Sequence, residues 1–167
     1  QSGSVVTGNI KFDLHLDQDL RAKASQLLED WRGIGNRPIL LAASTHKGED
    51  ELILAAFTKI KMQADSLLLV LVPRHPERFN QVAELCQKTG FTTVRRSSNV
   101  STAGADILLG DSMGELMTFF GACDLAFVGG SLVPTGGHNV IEPAAWGVPV
   151  LTGPHLFNFS EASELLM

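Results

Sequence analysis

The residues best suited to chemistry lie in 128–143, VGGSLVPTGGHNVIEP. A hydrophobic run, Leu125-Ala126-Phe127-Val128, reads as a strand and leads into a loop with two Gly-Gly pairs. Gly129, Gly130, Gly136 and Gly137 lack Cβ atoms, so their backbone can take φ > 0 and approach a ligand closely. A helix opening at about His138 or Asn139 would then present unpaired N–H groups and partial positive charge, which suits a phosphate. Glu142 lies about one turn beyond His138, so both can face the same side. A carboxylate beside a phosphate-binding turn is placed to accept hydrogen bonds from ribose hydroxyls. Together these groups point to a nucleotide-linked ligand. A tight strand–helix turn, with Glu142 merely favouring the helix start, accounts for the same residues without any ligand.

Arg74 falls just beyond an apolar run at 67–72, where a guanidinium can make paired bonds to phosphate or carboxylate. His75 is placed to cap the next helix, with Pro76 in its first position, and Arg78 reads as a solvated salt-bridge partner. Ser112-Met113-Gly114-Glu115 has the form of a capping box. Ser44, Thr45, His46 and Gly48 precede a helix whose early acids, Glu49, Asp50 and Glu51, complement the helix dipole. Phe157-Asn158-Phe159 could line a ligand pocket with apolar walls and one amide, or pack a sheet edge. The five histidines have no metal-site spacing, and Ser44 and Ser131 lack the setting of a hydrolase nucleophile.

The elements that must position these groups alternate. Helical patterns at 17–31, 49–63, 76–88, 113–122 and 139–146 are interleaved with short strand-like segments at 39–43, 67–72, 92–95, 107–109, 125–128 and 148–151, all apolar except 92–95. Continuous apolar runs suit strands buried on both faces. The alternation predicts a three-layer α/β/α, Rossmann-like domain with a parallel sheet. Ligands of such sheets bind beyond the strands' carboxyl ends, and the candidate groups from Ser44 onward follow expected strand ends. The expected organisation is an interdomain segment at 1–16 and a ligand-binding domain at 17–167.

The chain's 167 residues suffice for one domain with a sizeable core. A formal charge of −5 argues against nucleic acid as a partner. Local basic residues at Arg74, His75 and Arg78, and at Arg95 and Arg96, suit a small anionic ligand instead. No apolar run reaches the roughly 18 residues that span a bilayer, and no signal-peptide pattern opens the sequence. Cys86 and Cys123 read as buried thiols in a reducing compartment.

The wider set of motifs resembles the GT-B glycosyltransferases, and within them the 3-deoxy-D-manno-octulosonic acid (Kdo) transferases of lipopolysaccharide assembly. The matching blocks are VTGNIKFD (6–13), STHKGE (44–49), LVPRHPERF (71–79), RRSS (95–98), GDSMGEL (110–116), DLAFVGGSL (124–132), GGHNVIEPAA (136–145) and GPHLFNF (153–159). They occur in the family's order and are spread over most of the chain, from 6 to 159. The resemblance implies the C-terminal, donor-binding half of a GT-B enzyme that moves Kdo from CMP-Kdo to a lipid A precursor at the cytoplasmic face of the inner membrane. It implies that Arg74 and the turn Gly136, Gly137 and Asn139 hold the phosphate. Glu142 would hold the ribose, and the main-chain amides of Met113 and Gly114 would meet the cytosine. Ser44, His46 and Asn158 are then candidate contacts to the sugar or the interdomain cleft. The base activating the acceptor is expected on an N-terminal domain, with no catalytic residue and no transfer activity in this chain alone. No metal or other cofactor is expected, since helix ends and an arginine can serve a monophosphate leaving group. Other readings are a UDP-sugar transferase or epimerase domain, and a non-catalytic sugar-nucleotide module.

Overall fold

The computed structural model describes residues 5–6, 16–33, 35–130 and 141–152. Its strands are β1 (Val5–Val6), β2 (Ile39–Thr45), β3 (Leu68–Pro73), β4 (Thr93–Arg95), β5 (Ile107–Leu109), β6 (Leu125–Val128) and β7 (Val150–Leu151). Its α-helices are α1 (Gln18–Arg32), α2 (Glu49–Lys61), α3 (Phe79–Lys88), α4 (Leu116–Phe120) and α5 (Ile141–Ala145). They form one sheet in the order β1-β7-β6-β2-β3-β5-β4. All pairings from β2 to β7 are parallel. Val5 and Val6 of the amino-terminal segment add an antiparallel edge against Leu151 and Val150.

Strand alternation divides the core into two layers. Leu40, Ala42, Leu69, Leu71, Ile107, Leu109, Leu125 and Phe127 pack beneath Ile53, Phe57 and Ile60 of α2 and Val82 and Cys86 of α3. Ile39, Leu41, Ala43, Leu68, Val70, Val72, Leu108 and Ala126 pack against Leu27 and Trp31 of α1 and Phe119 and Phe120 of α4. The apolar runs of β2, β3, β5, β6 and β7 are thus buried on both faces, as their lack of polar alternation requires, whereas the edge strand β4 is half-buried. Asp17 caps α1 by accepting from Leu20 N at 2.7 Å, and Gly33, at φ +63°, ends it.

From β2 the chain moves to β3 on one side, then returns as β6 on the other side of β2 and continues outward to β7. The carboxyl ends of β2 and β6 therefore flank the point where the winding reverses, where such sheets form a ligand crevice.

Three local expectations need correction. The capping box at 112–115 does not form: Gly114 turns at φ +78° and α4 starts only at Leu116. Ser112 Oγ instead donates to the Glu115 carboxylate. The helix expected at 76–88 opens as a 3-10 turn (Pro76–Arg78), and the His75 side chain makes no cap bond. Arg78 is a largely shielded ion-pair partner rather than a solvated one: it meets the fully buried Asp50, with side-chain exposures of 12% and 0%. Cys86 is buried and Cys123 half-buried, and both are free thiols. Burial, and then the nearby Asp50, push the Cys86 thiol up to about 12, and burial also pushes up Cys123. Neither supplies a thiolate at neutral pH.

Candidate functional site

The first turn of α2 joins the loops at the carboxyl ends of β2 and β6. Glu49 is fully buried, and its Oε1 accepts from His46 N and from Gly130 N, both at 2.8 Å. One carboxylate thereby ties the loop leaving β2 to the loop leaving β6. Asp50, also fully buried, accepts from Thr45 Oγ1 at 2.6 Å and from the Arg78 guanidinium. These acids were expected only to complement the helix dipole. The tertiary contacts give them a larger task, which their position at a helix start could not reveal.

The backbone of β2 kinks at its end. Ser44 takes φ +58°, and the register with β3 shifts between Ala43 and Thr45. Gly129 N donates to Ala43 O at 2.7 Å, and a Cβ at 129 would lie 2.3 Å from Ser44 O. Gly129 is therefore a strand-packing glycine that needs no positive φ. Only Gly130, at φ +80°, makes the left-handed turn expected of this pair.

Arg74 leaves β3 with its N–H donating to Thr45 O at 2.8 Å. Its side chain is exposed and forms no ion pair among the described residues. Arg74 lines a cavity of about 210 Å³ together with Ser44, Phe79, Ser112, Met113 and Gly114. The structure thus brings the ends of β2, β3 and β5 to one hollow. The main-chain N–H groups of Met113 and Gly114 donate to no acceptor among the described residues. Four other hollows are larger, at about 290, 440, 280 and 340 Å³. Of these, the one of about 340 Å³ beside Arg96 and Thr118 includes Gly114 and Glu115, and the other three include no residue of 44–49, 71–79 or 110–116.

His46 is half-buried, and its ring meets that of His75 edge-on, with centroids 5.5 Å apart. Glu142 is half-buried in the first turn of α5. Gly136, Gly137, Asn139 and Asn158 lie outside the described residues.

Beyond β5, Asp111 accepts from Arg95 Nε at 2.7 Å, Ser97 N at 2.8 Å and Ser97 Oγ at 2.6 Å. Burial alone would raise this carboxyl, but the bonds from Ser97 and Arg95 outweigh it and hold the group below the usual aspartate range. Glu115 is lowered chiefly by its hydrogen bond from Arg96, against an opposing effect of burial.

No protein-family model matches the chain. It is 51% identical over 163 residues to the 3-deoxy-D-manno-octulosonic acid transferase of Haemophilus influenzae, covering 97% of this chain and 38% of that protein. It is 40% identical to the transferase of the same name from Bordetella pertussis, covering 95% of this chain and 37% of that protein. Among solved structures it matches the C-terminal CMP-Kdo binding domain of WaaA from Acinetobacter baumannii, with a TM-score of 0.76 and 40% identity. That match covers 89% of this chain and 77% of the other. The chain belongs to the Kdo transferase family. It spans less than two fifths of the curated relatives' length, and its Rossmann-like architecture is that of the family's C-terminal domain. Among the described residues no helix is long and apolar enough to cross a membrane.

Proposed function

We propose that this domain, residues 17–167, binds CMP-Kdo as the donor half of a Kdo transferase, with residues 1–16 as the interdomain segment. The observation that carries this reading is the untethered Arg74 guanidinium, which shares a hollow with the exposed turn at 112–114. The hollow stands at the strand carboxyl ends, where parallel sheets bind ligands. Arg74 and the turn at Gly136, Gly137 and Asn139 are assigned to the phosphate. Glu142 is assigned to the ribose hydroxyls, and the N–H groups of Met113 and Gly114 to the cytosine edge. Ser44, His46 and Asn158 face the sugar in this reading.

In the whole protein, the bond between the Kdo anomeric carbon and the CMP phosphate breaks, and its electron pair goes to the phosphate oxygen. An oxygen of the lipid A precursor forms the new bond, and its proton passes to a base outside this chain. The share of catalysis proposed for this domain is electrostatic. Fixed positive charge and aligned N–H groups stabilise the leaving CMP without reorganising at the moment of reaction. No metal is part of the scheme. Action at the cytoplasmic face of the inner membrane belongs to the same proposal.

Calorimetric titration of the domain with CMP, UMP and UDP tests it. CMP should bind in preference, and Arg74→Ala should weaken it by about tenfold to a hundredfold, the loss of a hydrogen bond to a charged group. Preferential binding of UDP would replace this reading with a UDP-sugar one. Binding of none of the three would overturn it.

A further inference from the structure

RRSS, residues 95–98, is a family block that touches no ligand in the scheme above, yet three of its side chains, those of Arg95, Arg96 and Ser97, converge on the turn that does. Arg95 Nε and both donors of Ser97 grip Asp111 at the start of the turn. Arg96 grips Glu115 at its end, with Nε to Oε1 at 3.1 Å and Nη2 to Oε2 at 2.9 Å. Ser112 Oγ donates to the same Glu115 carboxylate. The Arg96 guanidinium also lies 5.9 Å from the Phe119 ring centroid, which joins it to the first helix beyond the turn.

Little in the turn itself fixes it. Met113 is 68% exposed. Gly114 sits at φ +78°, and a Cβ built there would meet nothing within 4 Å. The conformation of 112–114 is therefore set by its two pinned ends. A paired arginine–carboxylate contact adds geometric definition that a point charge lacks.

We propose that Arg95, Arg96 and Ser97 are positioning residues that hold the Ser112–Gly114 turn in the geometry that tells cytosine from uracil. The proposal rests on the donor-site reading. Cytosine presents an amino donor at position 4 and an acceptor at position 3, whereas uracil presents an acceptor at 4 and a donor at 3. A turn that reads this edge with main-chain groups must keep N–H and C=O at fixed places. A hydrogen bond weakens steeply once its angle falls toward 120°, and recognition tolerates only about 0.5 Å of drift. A loosened turn can rotate to satisfy either base, so discrimination falls before phosphate binding does.

The experiment measures CMP and UMP affinity for the wild type, Arg96→Ala, Asp111→Asn and Arg74→Ala. Melting temperature, and amide exchange at Met113 and Gly114 without nucleotide, accompany each titration. The wild type should prefer CMP, and Arg96→Ala should lower the CMP/UMP ratio by about tenfold, the equivalent of one charged hydrogen bond. Asp111→Asn should move the ratio in the same direction. Both variants should remain folded and exchange faster at Met113 and Gly114. Arg74→Ala should weaken both nucleotides alike, because they share the phosphate. An unchanged ratio in a folded Arg96→Ala protein overturns the proposal. So does unchanged amide exchange, whatever the nucleotides do. Absence of CMP binding by the wild type refutes the donor-site reading itself. Faster exchange would then identify the clamp as a fold element alone and overturn the discriminating role.

Discussion

Arg78→Leu should be among the most damaging single changes outside the apolar core. Asp50 is completely buried, and Arg78 is its cationic partner. The remaining bond to Asp50 is a neutral one, from Thr45 Oγ1 at 2.6 Å. Removing the guanidinium leaves an uncompensated buried carboxylate, which costs about 3–5 kcal/mol. For a domain of this size each kcal/mol lowers Tm by roughly 2–4 °C, so Tm should fall by about 6–20 °C. The opposite change should be milder. Asp50→Asn keeps an acceptor for Thr45, while Arg78 stays partly exposed and keeps its bond to Thr45 O at 3.3 Å. A cost of about 1–2 kcal/mol is expected there. The double variant should be more stable than Arg78→Leu alone, because it removes the stranded charge, with a coupling of at least about 1.5 kcal/mol. Urea denaturation of the four proteins, with midpoints and slopes fitted together, reads the free energies, and thermal melts of the same proteins read the Tm shift. A cost below about 1 kcal/mol for Arg78→Leu, or a double variant that loses the sum of the singles, would refute the reasoning.

Glu142→Gln should weaken CMP binding about tenfold to a hundredfold, as expected for an ionised acceptor, but should change little for 2′,3′-dideoxy-CMP. Equal losses on both ligands in calorimetry would exclude a ribose role. Gly129→Ala should cost at least about 2 kcal/mol in urea unfolding, because the new Cβ meets the backbone of Ser44 and Thr45 at 2.3–2.8 Å. Gly35→Ala, whose Cβ would meet nothing within 4 Å, should stay within about 0.5 kcal/mol of wild type; similar costs at the two positions would contradict the close β2–β6 approach. Asp111 and Glu115 are both held below their ordinary values. Their stabilising contribution is complete above the unfolded-chain values of about 4 and is lost as pH falls through the lower folded-state values. Urea midpoints at stepped pH should therefore fall less steeply on the acid side for Asp111→Asn than for wild type, and parallel curves would disprove the linkage.

Periodicity and composition carried the layered α/β/α fold, since a strand buried on both faces needs an unbroken apolar run and a covering helix needs a 3.6-residue stripe. The bounds of β5 and β6 match their apolar runs residue for residue. The ordered family blocks pointed to the donor-binding half of a Kdo transferase, and the relatives agree. Boundaries failed where a local signal competed with a distant one. Ser112 and Glu115 have capping-box spacing, but Arg96, 19 residues from Glu115, captures the carboxylate that would have reached back to the cap. Glu49 and Asp50 read locally as dipole partners. Only the folded sheet brings Gly130, 81 residues away, to Glu49 and Arg78, 28 residues away, to Asp50. Gly129 and Gly130 are alike in sequence, yet the close approach of β2 and β6 makes one a packing glycine and leaves the left-handed turn to the other. A short motif reports its own backbone preferences, whereas the partner of a buried charge is chosen by strand order, and strand order exists only once the sheet has assembled.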